Sequence, residues 1–173
     1  ADMEEIQEAI EAAREGGCKE LAVLHCVSGY PARADEYNLR TLTDMVQRFG
    51  LVTGLSDHTI DNTTAIASVV LGASLIEKHF TLDRNGGGPD DSFSLEPGEL
   101  AALCKDSETA WASLGKVDYG RKSSELGNAQ FRRSLYFVEG LKRGEFITRS
   151  CIKSVRPGYG LPPKFLEEIL GKR

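Results

Sequence analysis

The fold of this chain is decided by three short apolar runs, Leu21-Ala-Val-Leu-His-Cys-Val27, Leu51-Val-Thr-Gly-Leu-Ser56 and Ser74-Leu-Ile-Glu-Lys-His-Phe80. Each run has the length of a strand, and near-continuous hydrophobicity is typical of a parallel strand that is buried on both faces. Amphipathic patterns with helical spacing separate the runs. This alternation of strands and helices predicts βα units on a parallel sheet, and therefore an α/β fold class.

Four helices accompany these strands. The first is predicted from Met3 to Glu15 and the second ends at Gly50. The third is predicted over residues 64–71, with Asn62 or Thr63 as its cap. The last opens at Glu96-Pro97, because proline is favoured in the first turn of a helix.

The chain changes character near residue 116. Residues 1–115 carry the βα pattern, whereas residues 116–131 are polar and aperiodic and are interpreted as a linker. Residues 132–173 are predicted to form a small module of mixed β character. Its expected elements are strands at Ser134-Leu-Tyr-Phe-Val138, Phe146-Ile-Thr148 and Ile152-Lys-Ser-Val155, followed by a short helix over residues 164–170.

Composition excludes several classes of function. Lys and Arg number 21 against 26 Asp and Glu, so the net charge of −5 argues against a general nucleic-acid binder. No apolar run approaches the ~20 residues that a membrane helix needs, so no membrane partner is expected. The four cysteines form no C-x-x-C pair, which favours reduced thiols in a cytoplasmic protein.

Two of the three histidines occupy similar places at strand ends, where the active sites of α/β barrels gather. His58 follows the second strand and His79 ends the third. If these strands are neighbours about 4.8 Å apart, the two imidazoles could reach one metal ion. The alternative is two satisfied histidines that pair with Asp57 and Glu77. His25 lies inside a strand and is interpreted as a core histidine.

Strand alternation adds detail to this prediction. It places Ser56 and His58 on one face of the sheet and Asp57 on the other. In the same way Glu77 and His79 share a face, and Lys78 turns away.

The loop Gly86-Gly-Gly-Pro-Asp-Asp91 could cradle an anion or place a carboxylate over a site, and the alternative is a flexible crossover. It is not a P-loop, because no G-K-[ST] follows. The sequence also lacks a dinucleotide fingerprint and a nucleophile-elbow motif.

Five motifs occur in this order: His25-Cys-Val-Ser-Gly-Tyr-Pro-Ala32, Gly54-Leu-Ser-Asp-His-Thr59, Ile76-Glu-Lys-His-Phe-Thr81, Gly88-Pro-Asp90 and Arg156-Pro-Gly-Tyr-Gly160. Together they resemble the sialic-acid synthase family, the nonulosonate synthases. Three further stretches resemble the branch that makes pseudaminic acid: Ser92-Phe-Ser-Leu-Glu-Pro97, Phe131-Arg-Arg-Ser-Leu-Tyr136 and Val155-Arg-Pro-Gly-Tyr-Gly-Leu161.

The resemblance implies the C-terminal portion of a (β/α)₈ TIM barrel followed by a small, mostly β, antifreeze-like (SAF) module. It implies a divalent metal on His58 and His79, manganese in the first place, with magnesium or cobalt as alternatives. Ser28 and Ser56 would bind phosphoenolpyruvate. The sugar would be bound by Tyr30, Glu77, Asp90, Gln130 and Arg156.

The implied reaction is metal-dependent condensation of phosphoenolpyruvate with a 6-deoxy-diacetamido hexose, which gives pseudaminic acid and phosphate. N-acetylneuraminate and legionaminic acid are the alternative products. The resemblance further implies a domain-swapped homodimer in which Arg156 enters the neighbouring site. It places the general base upstream of Ala1, so the chain is expected to be a fragment with a shortened SAF module. Other possibilities are a barrel aldolase or isomerase, a carbohydrate-binding or ice-binding module, and an inactive fragment.

Overall fold

The structure is a computed structural model, which describes the backbone of residues 1–173 and every side chain except that of Ala129. It divides into two compact units, Ala1–Lys116 and Val117–Arg173. Each unit has a hydrophobic core of its own. None of the described helices is long and apolar enough to cross a membrane.

The first unit alternates helices and strands in the predicted order. Its elements are α1 (Met3–Glu15), β1 (Ala22–Cys26), α2 (Arg40–Phe49), β2 (Val52–Asp57), α3 (Thr63–Val70), β3 (Leu75–Lys78) and α4 (Pro97–Leu114). The three strands form one parallel sheet in the order β1-β2-β3. The predicted α/β class with a parallel sheet is therefore confirmed.

The helix ends follow local sequence signals. In α1, Asp2 and Glu5 form a reciprocal capping box. At the end of α2, Gly50 adopts a left-handed conformation with φ of 60°, which glycine accepts without strain. Asn62 is the N-cap residue of α3, one of the two predicted, but its side chain makes no capping hydrogen bond, and Asp61 accepts from the Thr63 amide instead.

The middle strand β2 is buried by helices on one face. Tyr37, Leu42 and Leu55 form a core between β2 and α2 with Ala73. A second core joins Ala65, Leu95 and Leu103 between α3 and α4. The opposite face of the sheet is more open, and it exposes about half of the side chains of Val52 and Leu75.

The second unit contains an antiparallel pair, β4 (Ser134–Phe137) and β5 (Ile152–Val155), and a short helix α5 (Leu166–Ile169). Its core consists of Leu135, Cys151 and Ile152. Residues 116–131 belong partly to this unit, and within them Ser123–Phe131 is a 3₁₀ helix rather than an irregular linker.

The strand predicted at Phe146-Ile-Thr148 is wrong. The backbone of Ile147 instead pairs with the C-terminal turn, since its amide donates to the carbonyl of Lys172 and its carbonyl accepts from the amide of Gly171. The backbone amide and carbonyl of Ile147 are therefore hydrogen-bonded without a β ladder.

Candidate active site

The candidate site lies at the C-terminal ends of β2 and β3, on the open face of the sheet. Ser56 and Glu77 are register partners there, and the Ser56 hydroxyl donates a 2.8 Å hydrogen bond to Oε1 of Glu77. On the opposite face, Lys78 Nζ lies 2.9 Å from Oδ2 of Asp57. The predicted division of these residues between the two faces is confirmed.

The two histidines meet just beyond these strands. The ring centroids of His58 and His79 are 5.3 Å apart. Two imidazoles that share one ion at a metal–nitrogen distance of about 2.1 Å have centroids roughly 5 Å apart. The separation therefore suits a shared divalent ion.

Hydrogen bonds set the orientation of both rings. Nδ1 of His58 lies 2.8 Å from the carbonyl oxygen of Val27, which can only accept, so Nδ1 carries a proton, and in the neutral ring Nε2 has the free lone pair. Nδ1 of His79 lies 3.4 Å from Oδ2 of Asp90. A partner that accepts from one ring nitrogen is the usual support for an imidazole that binds metal through the other.

The alternative pairing of the histidines with Asp57 and Glu77 is wrong. Asp57 is bonded to Lys78, and Glu77 accepts from Ser56. Within the described residues, no group of three or more His, Cys, Asp and Glu side chains could enclose a metal ion. The donor set is thus two imidazoles, which leaves other coordination positions to water or substrate oxygens.

The side chain of Tyr37 hydrogen-bonds to the backbone at His58. No sequence motif indicated this role for Tyr37. The Tyr37 hydroxyl accepts from the backbone amide of His58 at 2.7 Å and donates to the carbonyl of Ser56 at 3.3 Å. Tyr37 is completely buried. Burial raises its pKa to about 12, because the charged form would lose its hydration, and the nearby Asp57 carboxylate acts in the same direction.

His25 supports this arrangement from the helix-covered face. Its Nε2 contacts the carbonyl oxygen of Tyr37, and the two rings meet edge to face. His25 is thus partly buried and has a polar partner, but it is not one of the core residues, although the sequence had predicted a core histidine.

Aromatic side chains form a wall beside the histidine pair. The ring of Tyr30 lies 4.3 Å from that of His58 and 5.7 Å from that of His79, centroid to centroid. Phe93 lies 5.2 Å from His79 and is almost fully buried. Tyr30 remains about half exposed, so part of this residue is open to a ligand. Phe93 lies in the stretch 92–97 that resembles the pseudaminic acid branch, but the sequence predicted no role for it.

The loop after β1 brings a second polar group to the site. Ser28 is exposed, and its hydroxyl lies 4.0 Å from Sγ of Cys26. Cys26 Sγ in turn lies 3.9 Å from Nδ1 of His58. Cys26 therefore lies close to both the Ser28 hydroxyl and the His58 ring.

The glycine-rich loop places a carboxylate over the site, which is one of the two predicted possibilities. Asp90 projects to His79, while the Asp91 carboxylate accepts from the amide of Gly88 at 2.7 Å. Arg84 anchors the loop through an ion pair with Glu99 and a hydrogen bond to the carbonyl of Ser94. The pKa of Glu99 is lowered, first by the hydrogen bond from the Glu96 amide and then by Arg84.

The remaining two predicted residues, Gln130 and Arg156, lie in the second unit. The Gln130 carbonyl accepts from the amide of Gly158, and its side-chain oxygen accepts from the Tyr159 hydroxyl. The Tyr136 hydroxyl donates to the carbonyl of Pro157. The loop that carries the exposed Arg156 is therefore fastened to Gln130 by two hydrogen bonds.

The fold and site define a class of protein: an α/β unit of barrel type whose strand ends gather imidazole, hydroxyl and carboxylate groups, followed by a small β module. The NeuB family model matches residues 1–119, and the SAF domain model matches residues 132–173. The chain belongs to the NeuB family. The predicted resemblance and the predicted fold class, a C-terminal barrel portion followed by a SAF domain, are confirmed.

Several characterised proteins are similar to the chain. It is 38% identical to a pseudaminic acid synthase of Campylobacter jejuni over 175 residues, which covers 100% of this chain and 50% of that protein. It is also 38% identical to an N,N'-diacetyllegionaminic acid synthase of Campylobacter jejuni, with 99% and 52% covered. The chain thus spans about half the length of the curated relatives it matches.

A solved structure shows the same fold over nearly the whole chain. The spore coat polysaccharide biosynthesis protein spsE of Bacillus subtilis matches with a TM-score of 0.63 and 32% identity. The match covers 98% of this chain and 53% of that one. The likeness extends through both units.

Proposed function

We propose that this chain supplies the C-terminal part of the active site of a nonulosonic acid synthase, with pseudaminic acid as the product. The observation that carries the proposal is the meeting of His58 and His79 at neighbouring strand ends, beside Tyr30 and the Ser56–Glu77 pair. The names of the related synthases support the same class of reaction. The half of those relatives that this chain does not match is where we place the general base.

The reaction joins two small molecules and releases phosphate. The methylene carbon of phosphoenolpyruvate attacks the aldehyde carbon of the open-chain hexose, and a carbon–carbon bond forms as the enol electrons are used. Water then adds to the carbon that bears the phosphate, and the carbon–phosphate oxygen bond breaks as inorganic phosphate leaves. The products are the nine-carbon keto acid and phosphate.

His58 and His79 would hold the divalent ion, with manganese proposed first and magnesium or cobalt as alternatives. When bound, the ion supplies Lewis-acid polarisation of the sugar aldehyde. The hydrogen bond between Nδ1 of His58 and the Val27 carbonyl selects the tautomer of the neutral ring in which Nε2 is the nitrogen that would bind the ion. Asp90 lies beside Nδ1 of His79, and we expect its carboxylate to orient that ring.

The remaining side chains are proposed to bind the two substrates. Ser28, in the loop after β1, would donate a hydroxyl hydrogen bond to phosphoenolpyruvate. Ser56, whose hydroxyl proton goes to Glu77, is proposed to contact the same molecule through its oxygen or after that hydroxyl turns. The half-exposed ring of Tyr30 would pack on the sugar beside the ion. Glu77, Asp90, Gln130 and Arg156 are the other residues proposed to bind the sugar.

The choice of product rests on the three stretches that resemble the pseudaminic acid branch. The substrate would then be a 6-deoxy-diacetamido hexose. Legionaminic acid and N-acetylneuraminate stay as alternative products, since the two Campylobacter relatives carry different product names at the same identity. Supplying each hexose in turn with phosphoenolpyruvate and identifying the acid by mass spectrometry distinguishes them.

The central test uses the protein that carries this chain. Phosphate release should require phosphoenolpyruvate, hexose and a divalent ion together, and His58→Ala should abolish both Mn²⁺ binding and turnover. His25→Gln is the control, because it changes a histidine outside the pair and should preserve Mn²⁺ binding. Full activity of His58→Ala contradicts the metal assignment, and product formation from pyruvate without phosphate release would indicate an aldolase.

The proposal includes a cytoplasmic homodimer in which Arg156 of one subunit serves the site of the other. A mixture of His58→Ala and Arg156→Ala variants tests this arrangement. Mixed dimers then contain one site with both residues intact, so activity should exceed that of either variant alone. If mixing after subunit exchange restores no activity, Arg156 does not act across a dimer.

A further inference from the structure

Behind the histidine pair lies a buried ion pair that no binding role explains. Asp57 and Lys78 are register partners at the ends of β2 and β3, and each directly precedes one of the two histidines. Their side chains are 0% and 3% exposed. They lie on the helix-covered face, away from any substrate on the open face.

All three N–H donors of the Lys78 ammonium have partners. Nζ lies 2.9 Å from Oδ2 of Asp57, 2.7 Å from the carbonyl of Thr59 and 2.9 Å from the carbonyl of Asp61. The Asp57 carboxylate also accepts from the amide and the hydroxyl of Thr59. One ammonium group therefore fastens β3 to the loop that carries His58.

The Asp57–Lys78 pair lies at the point in the sheet where the positions of the two histidines are determined. The ladder between β2 and β3 ends at the Asp57–Lys78 rung, and the backbone between the two histidines has no further ladder pairing. A buried ion pair adds little net stability, because desolvation offsets the attraction. Its contribution here is to geometry, since it fixes how far apart the two strands lie where the imidazoles emerge.

We propose that Lys78 is a positioning residue that sets the separation of His58 and His79. This inference rests on the proposed function, because a divalent ion needs both imidazoles at one distance. Lys78 acts through the strand ends and does not touch the substrate or the ion.

The experiment compares Lys78→Met with Leu103→Ala, a core variant between α3 and α4 that also lowers stability. Imidazole ¹⁵N and ¹H signals are recorded on the metal-free chain, and Mn²⁺ affinity is then titrated. Lys78→Met should shift the ring signals of both His58 and His79 and weaken Mn²⁺ binding by about tenfold to a hundredfold. Leu103→Ala should leave both readouts at wild-type values.

A double variant keeps the inference open to refutation if Lys78→Met does not fold. Asp57→Asn with Lys78→Gln removes both charges and retains hydrogen bonding across the rung. Its histidine ring signals and Mn²⁺ affinity should lie nearer to the wild-type values than those of Asp57→Asn alone or Lys78→Gln alone. Unchanged ring signals in Lys78→Met, or equal changes in Leu103→Ala, would overturn the inference. Wild-type protein that binds no Mn²⁺ refutes the metal proposal, while the ring signals still decide the role of Lys78.

Discussion

Tyr37 lies far from the histidines in sequence, yet its hydroxyl contacts the backbone on both sides of Asp57. It accepts from the amide of His58 and donates to the carbonyl of Ser56. Neither backbone group can turn to water, because this part of β2 is buried. One phenol thus supports the backbone from which a candidate metal ligand extends.

Replacing Tyr37 with Phe tests this support. The variant leaves the buried His58 amide and Ser56 carbonyl without the hydroxyl, so the free energy of unfolding should fall by about 1–3 kcal/mol. Urea unfolding followed by circular dichroism measures the change. Tyr119→Phe is the matched control, because Tyr119 is 99% exposed and should change stability by less than about 0.5 kcal/mol. Equal effects would refute the assigned role.

The raised pKa of Tyr37 predicts a loss of stability in alkali. An unfolded tyrosine titrates near pH 10, whereas burial raises the pKa of Tyr37 to about 12 in the folded chain. Between these values only the unfolded state loses this proton, so the stability is complete below about pH 10 and falls as pH rises through about 12. The loss should reach roughly 2–3 kcal/mol, and Tyr37→Phe should lack that part of it.

At this scale the sequence could predict the histidines but not their supports. Alternation along a strand is a local property, so the faces of Ser56, His58, Glu77 and His79 could be predicted. Tyr37 and Phe93 approach from loops whose paths depend on tertiary packing. The pairing of Asp57 with Lys78 was missed because opposite residues on adjacent strands are known only once the register is known.

Among the elements, β2 contains a glycine at the point where both neighbouring strands approach it closely. Gly54 pairs with Leu24 on β1 and Leu75 on β3. A Cβ at position 54 would meet the Leu75 carbonyl oxygen at 2.6 Å and Cδ2 of Leu24 at 2.5 Å. The leucine side chain could turn, but the carbonyl belongs to the ladder, so only a residue without Cβ fits.

Gly54→Ala should therefore separate β2 from β3 and lower the free energy of unfolding by about 1–3 kcal/mol. The same substitution at Gly98, in the first turn of α4, meets nothing within 4 Å. Gly98→Ala should be neutral or stabilise by up to about 1 kcal/mol. Thermal and urea unfolding of the two variants checks the contrast, and a neutral Gly54→Ala would show that the strands can move apart freely.

The elements that could be predicted are those whose local sequence carries a clear pattern of apolar residues or of glycine and proline. The apolar runs located all three parallel strands, and glycine or proline signals located the helix ends. Phe146-Ile-Thr148 has the composition of a strand, but backbone pairing with residues 171–172 takes its place. The 3₁₀ helix Ser123–Phe131 was missed because a polar, aperiodic stretch carries no signal for it.

For the whole molecule, the open face and strand edges of the first unit are the dominant exposed feature. In the part of the chain that the structure describes, β1 and β3 each pair with β2 alone. Unpaired edges with exposed apolar side chains promote association between chains. The half-exposed Val52, Leu75 and Phe80 lie on this unit.

We expect the 173-residue chain to self-associate, with a sedimentation coefficient that rises with protein concentration. Leu75→Lys places a charge at the β3 edge and should shift the chain towards monomer, since lysine discourages edge pairing. Val117→Lys adds the same charge at an exposed residue outside the sheet and should have no effect. A wild-type chain that stays monomeric at every concentration would contradict this prediction.

Successive residues of the β2–β3 ladder face opposite sides of the sheet. Ser56 and Glu77 pair on the open face, and Asp57 and Lys78 pair on the helix-covered face. Adding or removing a single residue within β3 would turn the Lys78 ammonium to the open face of the sheet and the Glu77 carboxylate to the helix-covered face. The imidazole of His79 would also move to the helix-covered face. Odd-numbered length changes in this strand are therefore incompatible with the site. Variation in length among proteins built this way should fall instead in segments that carry none of the side chains of the site.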